Sequence, residues 1–96
     1  MRDISPAEVQ DRPIVDVREP HEWQAGHADG AIHIPMGDVV ARLAEVPDGA
    51  AIICRSGARS AQVVAYLEQQ GLDAVNVAGG TVQWAADGHP MVGAVS

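Results

Sequence analysis

Across its 96 residues the chain has no lysine, no phenylalanine and a single cysteine. Each shortage excludes something. Positive charge rests on 6 arginines against 13 acidic residues, a formal net charge of −7. That balance repels phosphate backbones and anionic lipid surfaces, so nucleic acid and membranes are excluded as expected partners. One cysteine cannot close an intrachain disulfide. A reducing compartment, the cytoplasm, fits best, and Cys54 is either a core filler or a reagent. Aromatic residues make up only 3%, so the core must be aliphatic, drawn from 13 Val, 6 Ile, 3 Leu and 16 Ala. No apolar run approaches the roughly 20 residues of a membrane span. The opening Met1-Arg2-Asp3-Ile4-Ser5-Pro6 lacks the apolar stretch of a signal peptide.

What is present is ordinary for a globular protein: 47% apolar and 20% charged residues. That composition excludes disorder as the main description. The length predicts one domain over residues 1–96, with a monomer as the expectation for so small and acidic a chain.

Along the chain, strand and helix signals alternate. Ser5-Pro6-Ala7-Glu8 has the pattern of a capping box with proline at the first helical position, so a short helix starts there. Ile14-Val15-Asp16-Val17 reads as a buried strand, and one helical turn is expected around Glu22-Trp23. Ala31-Ile32-His33-Ile34 is a second strand, stopped by Pro35. Met36, Val39, Val40, Leu43 and Ala44 fall on one face of an amphipathic helix. After the turn Pro47-Asp48-Gly49 comes Ala50-Ala51-Ile52-Ile53, a continuous apolar run suited to a strand covered on both faces. A helix with Val63, Val64 and Leu67 on its core face runs to about Gln70, where Gly71 ends it. Ala74-Val75-Asn76-Val77 is a further strand, and a short helix carrying Trp84 follows Gly79-Gly80-Thr81. The pattern predicts an α/β fold: a small parallel β-sheet of about five strands, flanked by helices on both faces. Ligands of such sheets bind beyond the carboxyl ends of the strands.

Cys54 stands at such an end. It opens the run Cys54-Arg55-Ser56-Gly57-Ala58-Arg59-Ser60, between the buried strand and the long helix. Gly57 permits a tight cradle, small Ser56 and Ala58 leave backbone N–H groups open, and the helix aims its positive end at the loop. This is an anion site built around one sulfur. A thiol that ordinarily titrates near ~8.5 falls to ~3.5–7.5 at helix N-termini or beside cations. Arg55 and Arg59 supply such cations, and Arg59 is the better placed to hold an oxyanion with two nitrogens. A cysteine after a strand is more often an inert core residue, but the glycine and two arginines within five positions favour a functional one.

With these residues in view, the chain resembles the rhodanese family. Asp16-Val17-Arg18-Glu19, Glu22-Trp23, Gly26-His27, Gly30-Ala31 and Ile34-Pro35 resemble its first motif. Cys54 to Ser60 resembles its active-site loop. Gly79-Gly80, Trp84, Gly88 and Pro90 resemble its closing motif. The resemblance implies sulfane-sulfur transfer with no cofactor. Cys54 would take sulfur from thiosulfate or a persulfide, become a persulfide itself, and pass the sulfur to a thiol or cyanide, including a cysteine of a partner protein. Asp16 and Arg18 would then either brace the loop or form a purely structural ion pair. Two departures stand out. Ala28-Asp29 replaces the more usual Ile-Pro, and His89 replaces an aromatic residue. Both are expected to alter surface or partner preference.

Two other readings use the same loop. Phosphatases and arsenate reductases also close an anion loop with cysteine and arginine, but tyrosine phosphatases use the spacing C-x5-R. Here Cys54 to Arg59 is C-x4-R, a smaller cradle, and the loop offers no acid for a leaving group. A non-catalytic rhodanese-like binding module usually lacks the cysteine, which this chain keeps. The histidines His21, His27, His33 and His89 have no metal-ligand spacing and read as hydrogen-bonded structural residues, so no metal is expected. Trp23 and Trp84 read as packing anchors.

Overall fold

Every strand of the main sheet runs the same way. In the computed structural model, which describes residues 2–93, the elements in chain order are β1 (Asp3–Ile4), α1 (Pro6–Val9), β2 (Ile14–Asp16), α2 (Pro20–Ala25), β3 (Gly26–Ala28), β4 (Ile32–His33), β5 (Ala50–Ile53), α3 (Ala58–Gln69), β6 (Ala74–Val77), α4 (Gly80–Ala86) and β7 (Met91–Gly93). The five parallel strands lie in the order β1-β6-β5-β2-β4. β5 is central, between β2 and β6, and its four residues are all buried. A continuous apolar run is the signature of such a position.

Alternation along β5 divides the core in two. Ala50, Ile52 and Cys54 join the layer filled by Val63, Val64 and Leu67 of α3. Ala51 and Ile53 join the opposite layer, with Val9 of α1, Ala28 of β3 and Trp84 of α4. Helices therefore cover both faces, as the strand–helix alternation predicts.

The start of α1 follows its sequence signal. Glu8 reaches back to accept a 2.9 Å bond from the Ser5 amide. The same device opens α2, where the Glu19 amide donates to Glu22 Oε1 at 3.1 Å. One element prediction needs correction. The stretch from Met36 to Ala44 is not one helix but two 3₁₀ turns, Met36–Asp38 and Leu43–Glu45. Met36, Val39 and Leu43 do meet the core, but Gly37 and the β-branched pair Val39-Val40 make so short a helix expensive to nucleate. Strands β1, β3 and β7 have no sequence signal, being two or three residues long. β3 and β7 pair antiparallel as a separate ribbon, Gly26 opposite Gly93 and Ala28 opposite Met91.

The two departures from the family pattern lie on or beside this ribbon. Ala28 is fully buried in the layer around Trp84, so its effect is on packing, while Asp29 beside it is exposed on the surface. His89 lies against the Trp84 indole, ring centroids 4.9 Å apart. No helix among the described residues is long and apolar enough to cross a membrane.

Candidate active site

Cys54 leaves β5 at its carboxyl end and is only 1% exposed. The chain then turns through Arg55 and Ser56 to Gly57, which caps α3 in the left-handed conformation, φ 108°. A side chain there would be strained, so glycine is needed where the loop folds back over the sulfur. Ala58, Arg59 and Ser60 are thus the first turn of α3, not part of the loop itself. The Gly57 amide donates to Cys54 Sγ at 3.1 Å, and Ser60 Oγ lies 3.2 Å from the same sulfur.

The thiol is drawn in two directions. Burial disfavours the anion and is the largest single influence. Against it act the Ser60 hydroxyl and the backbone N–H groups of Ser60, Gly57 and Ser56. Together they prevail and hold the thiol below its ordinary value. The direction is the one the sequence predicts, but the Ser60 hydroxyl, which sequence reading does not name as a donor, is the foremost of the groups that lower it, and neither arginine is among them.

α4 closes the cradle from behind. The Thr81 amide donates to Cys54 O at 2.8 Å and the Val82 amide to Arg55 O at 3.2 Å. Gly80 makes this approach possible. A Cβ at that position would lie 2.3 Å from Cys54 O and 2.4 Å from Arg55 O, and its φ is 58°. Gly80 of the closing motif is thus a packing requirement of the cysteine loop.

Arg59 sits at the rim with its fork occupied. Nη1 donates to Glu22 Oε1 at 2.7 Å and Nη2 to Glu22 Oε2 at 2.9 Å. Glu22 is held down to about 2, first by these bonds and further by the Glu19 amide and the charges of Arg59 and Arg18, against the cost of its burial. Arg59 in turn is held above its usual value, chiefly by Glu22, with Cys54 and Glu19 contributing. Sequence reading places Glu22 in a motif but not in the site. Its partner lies 37 positions away, a separation that periodicity does not bridge. Trp23 beside it is an anchor of α2, stacked nearly parallel on His27 at 3.5 Å and on His33 at 4.7 Å. His27 Nδ1 bonds Trp23 O and His33 Nε2 bonds Arg18 O, the structural roles expected of them.

Asp16 and Arg18 do not join the cradle. Arg18 Nε and Nη2 grip the Asp16 carboxylate at 2.7–3.0 Å, and Nη2 also donates to Gly26 O at 2.7 Å. The pair is buried and ties the end of β2 to β3. Asn76 on β6 is the residue that sequence reading passes over entirely. Its Nδ2 donates to Gly57 O and to Asp3 Oδ1, each at 3.1 Å, and its Oδ1 accepts from Ser60. The Gly57 amide and the Ser60 hydroxyl are the donors described within 3.2 Å of the sulfur.

The chain that carries this cradle matches known proteins over nearly its whole length. The family model for the rhodanese-like domain matches residues 4–87. The chain belongs to the rhodanese-like family. A sulfurtransferase of Allochromatium vinosum is 42% identical over 89 residues, covering 90% of this chain and 83% of that one. The thiosulfate sulfurtransferase PspE of Escherichia coli is 39% identical over 70 residues, 69% of this chain and 67% of its own. A crystal structure of a rhodanese-related protein from Thermoplasma volcanium superposes with a TM-score of 0.89 at 34% identity, covering 96% of this chain and 98% of that one. In this rhodanese-like domain the Cys54 loop, the first motif and the Gly79-Gly80 turn all fall within the matched span.

Proposed function

We propose that the chain is a sulfurtransferase of the thiosulfate sulfurtransferase type, working through Cys54. The observation that carries this reading is the pair of donors on one buried sulfur, the Gly57 amide at 3.1 Å and the Ser60 hydroxyl at 3.2 Å. They favour a thiolate, which is the nucleophile such chemistry needs. The thiolate attacks the outer sulfur of thiosulfate. The donor's S–S bond breaks, sulfite leaves with the electron pair, and Cys54 becomes a persulfide. The loop amides hold the charged outer sulfur. An acceptor thiolate or cyanide then attacks that sulfur, and the Cys54 thiolate is regenerated. A persulfide donor enters the same cycle with a thiolate as leaving group.

Cys54 is the sequence's one cysteine, so the persulfide is discharged to an external nucleophile and not to a second thiol of the chain. Arg59 serves the approach of a charged donor, and Arg55, Ser56 and Ala58 frame the mouth of the loop. The reading is supported by the names of the relatives above. Its test is Cys54→Ser, for which all thiosulfate-dependent turnover is expected to vanish. Retained turnover would reject it.

A further inference from the structure

Ser60 has one hydroxyl proton and two neighbours that call for it. Its Oγ is within bonding distance of Cys54 Sγ at 3.2 Å and is bonded to Asn76 Oδ1. A single O–H donates fully to only one acceptor at a time. The orientation of the Asn76 amide is fixed independently. Both protons of Nδ2 are committed, one to Gly57 O and one to Asp3 Oδ1, so Oδ1 must face Ser60. Asn76 and Ser60 are both buried.

We propose that Asn76 is a positioning residue that competes with Cys54 for the Ser60 proton and so sets how readily the sulfur becomes charged. When the sulfur is neutral, as thiol or as the inner sulfur of a persulfide, Ser60 donates to Asn76. When the sulfur is a thiolate, Ser60 turns its proton to the sulfur and Asn76 Oδ1 gives up its partner. The thiolate is thereby made available for attack without being held in its lowest state. A bond to a charged acceptor is stronger than one to a neutral acceptor, which permits the exchange. The charged groups around the cluster are Asp3 on β1, bonded to Asn76, Arg55 in the loop beside Cys54, and Arg59 on α3, paired with Glu22 on α2. The hydrogen bonds to the sulfur come from Gly57 and Ser60. The proposal deepens the sulfurtransferase reading by assigning a residue that acts on the nucleophile through another.

The test is the pH profile of Cys54 alkylation by iodoacetamide, which needs no sulfur donor. A failure of sulfur transfer is therefore read separately, from turnover. Asn76→Ala removes the competitor. Its profile is expected to move to lower pH, with about fivefold more thiolate well below the midpoint, the size of one hydrogen bond's preference for a charged acceptor. In a Ser60→Ala background the same substitution is expected to move the profile little. Asn76→Leu, close in size and without an acceptor, carries the same expectation should the alanine variant fold poorly. A shift to higher pH, no shift, or an equal shift with and without Ser60 would overturn the proposal, since each is what a purely structural Asn76 gives.

Discussion

Arg18 and Arg59 each grip one carboxylate through two nitrogens, yet their surroundings differ. Asp16 and Arg18 are 0% and 2% exposed, and Arg18 also donates to the Gly26 carbonyl. Glu22 and Arg59, at the rim, are 16% and 35% exposed. In the buried fork neither charge has water to fall back on, so the pair is fixed once the chain folds. At the rim either partner can be solvated, so the fork can open when an anion arrives. Both arginines stand in or beside sequence motifs, and type alone does not separate them. Burial does: the first is closed into the fold, and the second stands open to solvent where the proposed donor would approach. The two are also linked, since Arg18 helps to keep Glu22 charged.

The largest effect is expected from breaking the buried fork. Asp16→Asn leaves Arg18 short of a counter-charge in a closed interior and should cost about 3–5 kcal/mol, read from urea unfolding. A loss below about 1 kcal/mol would mean that water reaches this pair. Arg59→Ala should change stability little and weaken thiosulfate use more than use of an uncharged persulfide donor, because the dianion needs the guanidinium more. Equal losses for both donors would remove Arg59 from the ligand's path.

Glu22→Gln sharpens the contrast from the other side. Glutamine can still accept the Glu19 amide, but it releases the Arg59 charge. About two- to fivefold lower KM for thiosulfate is expected, the range of an exposed ion pair, with persulfide use unchanged. An unaltered KM would show that Glu22 does not compete with the donor. The smallest effect is on acid stability. Glu22 falls from 4.5 to about 2 in the folded chain. A depressed carboxylate contributes stability that is complete above the unfolded value and is lost as pH falls toward the folded one. The wild type should therefore lose up to about 1 kcal/mol more than Glu22→Gln between pH 5 and pH 2, allowing for solvent screening.

The same contrast explains what the sequence discloses. The sheet is legible because Ile14-Val15 and Ala50 to Ile53 are unbroken apolar runs, and α3 because Val63, Val64 and Leu67 share a face. Cys54, Gly57, Arg59 and Ser60 are legible because the strand, loop and helix that assemble them are contiguous. Glu22, Asn76 and Gly80 reach the loop from three other elements, and only the folded topology brings them there. Asn76 in particular sits in a strand with apolar neighbours, where its sequence context points to burial and not to a partner. The ribbon of β3 and β7 is hidden for a related reason, its strands being too short to show a period.

The account rests on the sulfur of Cys54 accepting a second sulfur atom. The most direct measurement is intact mass after incubation with thiosulfate, before and after adding a reductant. A gain of one sulfur atom that the reductant removes, absent in Cys54→Ser, is the expected result. An unchanged mass with thiosulfate and with a persulfide donor alike would contradict the account and leave the cradle as an anion-binding site without transfer chemistry.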